Sequence, residues 1–447
     1  MNIKAHLYII TLLLFTSSLF SQEQLLQSGP MVGYSAYREV GLWVQTTKSA
    51  TVHFEYYDLD SPSKVYQSDK LTTAKSEGFT AKIPIEFLEP GKKYGYSVFI
   101  NGKKIEIGHK LQFQTKELWQ WRKNPPDFSF VSGSCFYVNE PVYDRPGTPY
   151  GDEPITIFNS ILSKSPDFMV WLGDNTYLRE ADWDSRSGIY HRYTHDRSVK
   201  ELQPLLGSVH HYAIWDDHEY GINDASRTYQ LKDVTLKAFN DFWFNPIPGT
   251  PERGISHTFQ WSDAEFFMLD NRWFKVEKEM NDSSYKTILG KEQIDWFIES
   301  LSQSLATFKF VAIGGQFISN SAAYENYAVL PVERQMIIDR IVENGITGVI
   351  FLTGDRHFSE VSVEKPEGFY PIYDFTISPF TSGAGGPRTE TNTKRIAGSL
   401  IERTRNFAKF NIVGEKKERK IQVEYFNAKG ESLYKMEIKA EELKPVK

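Results

Sequence analysis

Cysteine is almost absent from this chain of 447 residues, in which Cys135 is the only one. An intramolecular disulfide is therefore excluded, so the fold must rest on its hydrophobic core and on any metal that it binds. A single free cysteine is most often a small buried hydrophobic side chain. The alternative for Cys135 is a thiolate metal ligand, which would favour a softer or redox-active metal over a site made only of oxygens.

The chain also lacks a hydrophobic run that could cross a bilayer, because crossing takes about 20 apolar residues. The apolar stretch at residues 7–15 is too short. It follows Lys4 and precedes a run of small residues that ends at Ser21, a pattern typical of a signal peptide. We therefore expect residues 1–21 to be a signal peptide and the protein to be exported to the periplasm, the cell surface or the extracellular space.

Positive charge is not in excess. Lysine and arginine number 51 against 57 aspartates and glutamates, so the formal net charge is −6. A nucleic-acid-binding surface would be basic, so the composition argues against one. A phosphate ester remains open as a substrate, because bound metal ions reverse the local charge.

The first part of the chain has the pattern of a β-sandwich. Residues 41–45 and 50–56 alternate apolar and polar side chains with the period of a strand. Asn101-Gly102 is a hairpin signal. Short strands separated by frequent turns are typical of immunoglobulin or fibronectin sandwiches, so we expect such a domain over residues 28–117.

The pattern changes after a linker at residues 119–126. Residues 290–305 and 331–344 carry apolar side chains at helical spacing, and each segment precedes a β-rich apolar run. From Asn406 onward the chain alternates again, which predicts edge strands that complete one sheet. The sequence therefore predicts a second, α/β domain over residues 125–440.

Four strand-like runs of this second part end in polar residues that can bind metals. Open α/β sheets bind ligands at the carboxyl ends of their strands, so we expect these side chains to meet in one crevice. Two cations about 3.5–4 Å apart need a shared carboxylate and several oxygen and nitrogen ligands to hold a phosphoryl group, which makes the crevice suitable for a two-metal hydrolase. The residues are Cys135, Asp174, Asp217, His218, Asp355 and His357.

These motifs resemble those of one known family. The chain is similar to the PhoD-type alkaline phosphatases, a branch of the calcineurin-like metallophosphoesterases, over residues 28–385. The resemblance implies an N-terminal β-sandwich followed by an α/β metallophosphoesterase domain, in which two packed β-sheets are flanked by helices. The matching pieces are Gly133-Ser134-Cys135, Gly173-Asp174-Asn175-Thr176-Tyr177, Trp215-Asp216-Asp217-His218-Glu219 with Asn223-Asp224, and Gly354-Asp355-Arg356-His357.

The resemblance also implies a metal site. Asp174 would bridge two metals, and Cys135 and Tyr177 would be thiolate and phenolate ligands of ferric iron. Asp355 supplies a hard oxygen ligand, which suits Ca²⁺. We expect two or more ions, Fe³⁺ and Ca²⁺, with Zn²⁺ or Mn²⁺ as alternatives. The implied metal ligands are Cys135, Asp174, Tyr177, Asp217, Asp355 and His357.

Three further residues are expected to act on the substrate. By the same resemblance His218 binds a phosphoryl oxygen or protonates the leaving group, and Asn223 contacts the substrate or supports its loop. Residues 178–200 form an arginine-rich insert that looks like a lid. Arg192 is its expected phosphate contact, because arginine can bind phosphate with two parallel hydrogen bonds. The equally weighted alternative is an exposed loop whose arginines pair with the acidic residues of the same insert, Asp182 among them.

Together these features predict a secreted, metal-dependent phosphoesterase that hydrolyses phosphate monoesters, diesters or both. A metal-bound hydroxide would attack phosphorus in line, without a protein nucleophile. One alternative is a phospholipase D-like phosphodiesterase. The other is a non-catalytic surface binding protein with a structural metal site, against which the complete ligand set argues.

Overall fold

The computed structural model describes residues 25–152, 155–249, 253–277 and 286–445. The predicted signal peptide, residues 1–21, lies outside this part of the chain. Within the described residues, no helix has both the length and the apolar character needed to cross a membrane.

Strands make up most of the regular structure. In chain order they are β1 (Leu26–Ser35), β2 (Val40–Thr46), β3 (Thr51–Asp58), β4 (Val65–Gln67), β5 (Leu71–Thr72), β6 (Thr80–Ile85), β7 (Lys93–Ile100), β8 (Lys103–Lys104), β9 (Gln112–Gln114), β10 (Phe128–Gly133), β11 (Pro149–Asp152), β12 (Phe168–Leu172), β13 (His210–Ile214), β14 (His257–Trp261), β15 (Ala264–Met268), β16 (Phe308–Ile313), β17 (Val349–Thr353), β18 (Glu360–Glu364), β19 (Ile372–Thr376), β20 (Asn406–Val413), β21 (Lys420–Asn427) and β22 (Ser432–Lys439).

Helices lie between the strands of the second part of the chain. The α-helices are α1 (Ile157–Ser163), α2 (Arg186–Arg197), α3 (Gln203–Leu206), α4 (Asp217–Tyr220), α5 (Lys232–Phe242), α6 (Gly290–Gln303) and α7 (Pro331–Glu343). Short 3₁₀ helices are found at Lys75–Glu77, Lys200–Leu202, Tyr327–Val329 and Ala440–Leu443.

The two long helices confirm the helical spacing found in the sequence. α6 buries Ile294, Phe297 and Leu301 along one face, as their three- and four-residue spacing requires. α7 begins at Pro331, whose fixed φ suits a first helical position. It ends two residues before Gly345, whose φ of +59° is incompatible with continuing a right-handed helix.

Nine strands form the largest sheet, in the order β22-β21-β20-β10-β12-β13-β1-β2-β6. Its centre is parallel, with β10, β12, β13 and β1 side by side. The outer strands are antiparallel, with β20, β21 and β22 on one side and β2 and β6 on the other. The tail strands expected from the sequence thus complete one edge of this sheet.

A second sheet of six strands packs on the first. Its order is β14-β15-β16-β17-β19-β18, parallel from β15 to β19 and antiparallel at both edges. Phenylalanine rings fill the space between the sheets. The ring of Phe130 lies 5.1 Å, centroid to centroid, from the rings of both Phe266 and Phe310, and meets each edge to face. Such pairs stabilise the interface beyond simple area burial, and they hold the two sheets in one unit.

The N-terminal sandwich is built on the end of the large sheet. A third sheet, made of β3 to β5 and β7 to β9, packs on β1, β2 and β6 with a core that includes Val44, Phe54 and Val98. The large sheet continues from β1 to β13, where Val32 pairs with His210. The predicted sandwich and two-sheet α/β unit are therefore confirmed as folds. Because one sheet runs through both, the domain limits of 28–117 and 125–440 stay a prediction.

Candidate active site

Four strands bring the predicted site residues to one edge of the paired sheets. β10, β12 and β13 belong to the large sheet and β17 to the second. Cys135, Asp174, Asp217 and Asp355 each follow the end of one of these strands by two or three residues. Parallel strands place their carboxyl ends at the same edge, so side chains far apart in sequence meet there.

The backbone at these positions is unusual. Cys135, Asp174, Asp355 and His357 have positive φ angles of 62°, 55°, 68° and 57°. Residues other than glycine rarely adopt this conformation, and clusters of such residues occur at functional sites. The side chains are therefore aimed by turns that local preference alone would not select.

Two glycines let the loops of the site approach one another. A Cβ atom on Gly173 would lie 2.7 Å from Cβ of Asp216, and one on Gly354 would lie 2.6 Å from Cβ of Ser134. Both distances are shorter than van der Waals contact allows. A larger residue at either position would push two strand ends apart, which explains why glycine precedes Asp174 and Asp355.

Asp174 lies at the centre of the site. Its Oδ2 accepts a hydrogen bond from the Tyr177 hydroxyl at 3.0 Å and lies 3.5 Å from Cys135 Sγ. The Tyr177 hydroxyl is in turn 3.3 Å from His357 Nε2. The other carboxylate oxygen of Asp174, Oδ1, is buried and has no hydrogen-bond partner among the described residues. A buried oxygen of this kind is costly unless a cation or a donor satisfies it.

Potential metal ligands form adjoining groups that share members. In each group, ligand atoms of three side chains lie within 4.8 Å of one another. Asp174 belongs to two groups and Asp217 to three, so these carboxylates could bridge neighbouring ions. The groups are Cys135, Asp174 and His357; Asp174, Asp217 and His218; Asp216, Asp217 and Asp355; and Asp217, Asp224 and Glu325.

The electrostatics of the site favour a bound cation. Burial, with the neighbouring negative groups, raises the pKa of Asp174 well above its usual range. Burial raises the pKa of Asp355 to about 7 and that of the Cys135 thiol to about 12. Burial acts in the same direction on Asp217, but His218, Arg272 and the backbone N–H of Asp224 together outweigh it and lower the pKa of that carboxyl. Metal ions would supply the positive charge that this buried set lacks.

His218 faces the same cleft from the start of α4. Its ring stacks on the ring of Tyr177 with centroids 4.1 Å apart. Its Nδ1 is buried and has no hydrogen-bond partner in the described part of the chain. Burial lowers the pKa of His218 to about 4, although Asp217 acts in the opposite direction. The imidazole therefore has both a donor and an acceptor nitrogen available to a ligand.

Glu219 ties the Asp174 loop to the segment before α4. Its Oε2 accepts hydrogen bonds from the backbone N–H groups of Asp174 at 2.9 Å and of Asp216 at 3.0 Å. Its Oε1 accepts one from the N–H of Asn175. A fully buried carboxylate that holds three amides of two loops positions the residues that they carry.

A buried arginine supports the other side of the site. Arg272 pairs with Asp216 and, through Nη1, with Glu325 Oε2 at 2.6 Å. Its Nη2 lies 3.7 Å from Asp217 Oδ1. Neither this arginine nor Glu325 is among the site residues predicted from the sequence. The available signal was the polar run at residues 270–272, which follows β15 as the other site residues follow their strands.

The cleft in front of these groups has a volume of about 530 Å³. Asn223 and His218 both line it, and a substrate contact by Asn223 stays a prediction. Residues 383–386 form a second wall, and Tyr324, with 61% of its surface exposed, stands at the rim. The cleft is thus open to solvent and combines a polar floor with an aromatic edge.

Arg192 does not lie on this cleft, and the prediction of a substrate contact for it is corrected. It belongs to α2, which packs as a partly buried helix instead of forming a lid. Its side chain is 1% exposed, and its Nη2 and Nε bond to Asp144 Oδ1 at 2.7 Å and to Asp182 Oδ2 at 2.8 Å. The guanidinium is therefore occupied by two buried carboxylates. The structure shows the alternative in which Arg192 pairs with Asp182, but this pair is buried and not exposed.

A different arginine of the same insert borders the site. The Arg179 guanidinium carbon lies 4.7 Å from the ring centroid of Tyr137 and 5.5 Å from that of Tyr177. Its charge reaches His218, whose pKa it helps to lower. Arg179 is half-buried, so a cation stands beside the phenol that contacts Asp174.

Comparison with known proteins identifies the family. A family model described as PhoD-like phosphatase matches residues 146–441, more than half of the chain. The chain belongs to the PhoD-like phosphatase family. A second model, described as a domain of unknown function, matches residues 23–118, the segment that contains most of the N-terminal sandwich.

Individual relatives agree with membership of the PhoD-like family. Alkaline phosphatase D of Bacillus subtilis (strain 168) is 23% identical over an alignment of 365 residues that covers 69% of this chain. The match spans 59% of that protein's length. A solved structure of PhoD superposes with a TM-score of 0.73 over 93% of both chains, at 17% identity. Purple acid phosphatase PPD1 from yellow lupin (Lupinus luteus) seeds superposes with a TM-score of 0.62 over 93% of this chain and 75% of its own, at 11% identity. The structural likenesses confirm the fold that the sequence predicted.

Proposed function

We propose that this chain is a metal-dependent phosphoesterase that hydrolyses phosphate monoesters, diesters or both. The observation that carries the proposal is the convergence of metal-ligand side chains from four strand ends around the unpartnered oxygen of Asp174. Membership of the PhoD-like phosphatase family supports it. A structural metal site alone would not need an open cleft beside it, whereas a catalytic site does.

The residues present fit a site for two or more metal ions. Sulfur and phenolate ligands favour Fe³⁺, and carboxylates favour Ca²⁺, with Zn²⁺ or Mn²⁺ as alternatives. Such ions, when bound, would neutralise phosphoryl oxygens and lower the pKa of water. Cys135, Asp174, Tyr177 and His357 would hold one ion, and Asp174, Asp217 and Asp355 would hold its neighbour.

The protein's own groups would orient the ester. The His218 imidazole would donate a hydrogen bond to a phosphoryl or leaving-group oxygen, and its stacking on Tyr177 holds the ring plane. The Asn223 amide, on the cleft wall, would contact the same ester. Glu219 and Arg272 keep the surrounding carboxylates in place, so little reorganisation accompanies reaction.

Hydrolysis of chromogenic esters tests the proposal. The full-length protein should release p-nitrophenol from p-nitrophenyl phosphate, from bis(p-nitrophenyl) phosphate or from both, and strong chelation should abolish release. Adding metal back should restore it. Full activity in a metal-free preparation would contradict metal dependence, and a metal-loaded protein that is inert towards both esters would favour a binding role.

Cys135→Ser should remove visible colour from the protein. A thiolate and a phenolate bound to Fe³⁺ give ligand-to-metal charge-transfer absorption in the visible range. Serine replaces the sulfur with a harder oxygen and should weaken this absorption. Absorption spectra and iron content should be measured together. Ser134→Ala is the matched control, because the Ser134 hydroxyl also contacts Cys135 Sγ, at 3.4 Å, but would not bind the metal. A colourless native protein that holds zinc alone would contradict the assignment of iron.

Arg179→Ala should lower kcat/KM more for a monoester than for a matched diester, because only the monoester dianion carries the extra charge. A lost charge-assisted contact of about 1.5–3 kcal/mol corresponds to a roughly 10- to 100-fold loss. Equal losses on both esters in the Arg179 variant would show that this residue does not sense phosphate charge.

Arg192→Ala should instead lower the free energy of unfolding by about 3–5 kcal/mol, measured by urea unfolding, since it leaves Asp144 and Asp182 buried without their partner.

Export through residues 1–21 remains part of the proposal. It rests on the sequence pattern of that segment. Sequencing the N-terminus of the protein recovered outside the cytoplasm would test it, and a mature chain that still begins at Met1 would contradict it.

A further inference from the structure

A second pocket lies on the other side of one wall of the cleft. It has a volume of about 400 Å³. Ala384 lines both the cleft and this pocket, so a single loop, residues 382–386, separates them. We call it the basic pocket, because its charged lining residues are Arg403, Arg405 and Lys429.

The charged residues that line the basic pocket are all cationic. None of its lining residues is an aspartate or a glutamate. The whole chain carries a formal charge of −6, so the charged lining of this pocket is opposite in sign to the chain as a whole. Two carboxylates lie just outside the lining. A Cβ atom on Gly386 would lie 2.5 Å from Oε2 of Glu402, so this carboxylate is at the loop, and Oε2 of Glu431 accepts a hydrogen bond from Asn427 Nδ2 at 2.7 Å. The exposed side chains of Arg403 and Lys429 therefore offer a local positive potential to an anion.

Hydrogen bonds hold the two arginines of the pocket in place, one through the Arg405 side chain and one through the Arg403 backbone. Arg405 Nε donates to the Ser382 carbonyl at 3.1 Å, and the Arg403 N–H donates to the Gly385 carbonyl at 2.6 Å. Arg403 adopts a φ of +54°, which a non-glycine residue keeps only when its surroundings require it. The two arginines are thus tied to the loop that forms the cleft wall.

Lys429 is fixed from the opposite side. It lies in the turn between β21 and β22, next to Ala428, whose carbonyl accepts a hydrogen bond from Ser160 Oγ at 2.7 Å. The carbonyl of Gly430 accepts one from Lys164 Nζ at 3.0 Å. Both donors belong to or follow α1, so the turn is braced against a helix of the catalytic unit. The long Lys429 side chain itself is exposed and available to a ligand.

The same loop reaches the candidate metal ligands. His357 Nδ1 lies 2.8 Å from the Gly383 carbonyl, and its Nε2 lies 3.5 Å from Ser382 Oγ. A phosphate ester held near His357 therefore has its organic part beside this loop. An anionic group farther along that organic part would come within range of the basic pocket.

We propose that the basic pocket binds a second phosphate group of the substrate. Preferred substrates are then esters whose organic part carries two phosphates, one placed at the metal site and one beyond the loop. The inference deepens the proposed function and rests on it for the reaction, but binding of the second phosphate depends only on the pocket.

A series of α,ω-alkanediol bisphosphates of increasing length tests the proposal against the matching alkyl monophosphates. Release of inorganic phosphate by the wild-type enzyme should show one preferred length, with kcat/KM roughly tenfold above that of the monophosphate, since exposed ion contacts are individually weak. The preference should shrink at high salt, which screens exposed charges. The double variant R403A/K429A should remove it and leave monophosphate hydrolysis near the wild-type value.

A matched control distinguishes the effect of the charges in the basic pocket from the effect of the protein's net charge. K416A/K417A removes two exposed lysines from the β20–β21 hairpin and changes the net charge by the same amount. This variant should keep the preference. A preference that persists in R403A/K429A, that is lost equally in both double variants, or that is missing at every length in the wild type would overturn the proposal.

Calorimetry with non-hydrolysable alkane bisphosphonates tests binding of the second phosphate group to the basic pocket independently of catalysis. Wild-type protein should bind the preferred length roughly tenfold more tightly than a monophosphonate, and R403A/K429A should bind both equally. If no ester is hydrolysed but this difference is seen, the proposed reaction fails and the second phosphate site stands. If esters are hydrolysed and the difference is missing, the opposite holds.

Discussion

Hydrolysis should fall by at least about 10³-fold when Asp174 is replaced by asparagine, because several kcal/mol of transition-state charge stabilisation depend on the metals. Asparagine keeps the shape of the side chain and removes its charge. Asp174 belongs to two adjoining ligand groups, so one substitution should disturb both ions. Metal content and kcat, measured on the same preparation, should therefore fall together.

Asp263→Asn provides the matched control for Asp174→Asn. Asp263 is also a buried aspartate, but it pairs with Arg419 at 2.9 Å and lies outside the ligand groups. Its substitution should lower the free energy of unfolding and leave the metal content unchanged. Full metal occupancy in the Asp174 variant would contradict its role as a shared ligand.

The second large effect is expected at His218. His218→Ala should lower kcat by about 10²–10⁴-fold, the usual range for a lost general acid or base. The metal content should stay near the wild-type value, because the proposed role of His218 is on the ester. Stopped assays with saturating substrate and elemental analysis of the same sample would measure both quantities.

His191→Ala is the control for His218→Ala. His191 is exposed on α2 and pairs with Glu140, away from the cleft, so its loss should leave kcat unchanged. The structure makes the result for His218 informative, because its ring nitrogen lies within ligand range of Asp174 and Asp217. Loss of one metal equivalent in the His218 variant would make it a ligand instead of a substrate contact.

Most of the candidate site could be predicted because its signals are local. Asp174 and Asp355 each stand two residues after a buried strand and directly after a glycine, and both features are visible in the sequence. The reason for the glycines was not visible. Gly173 faces Asp216, 43 positions away in a different loop, and only the packed structure shows that contact.

The error at Arg192 has a similar cause. The sequence shows an arginine close to a metal motif and several acidic residues close to the arginine. It does not show that Asp144, 48 residues earlier, accepts a hydrogen bond from Nη2 of the Arg192 guanidinium. Arg179 lies nearer the motif, and its position against Tyr137 and Tyr177 depends on how the loops fold back. Side-chain partners across long loops are set by packing, for which a single sequence carries no local signal.

The sequence by itself determined the sandwich and α/β classes, the long helices, the strand ends that carry carboxylates and the ligand types, because periodicity and turn residues act over a few positions. Only the tertiary structure decided that one sheet joins both parts through Val32 and His210, that Asp174 keeps an oxygen without a partner, and that Arg403, Arg405 and Lys429 surround one hollow. These facts depend on which strands become neighbours and on which charged side chains pair with one another when they are buried. Both are settled by the packing of the whole chain, because contacts between distant residues form only when their strands and loops assemble.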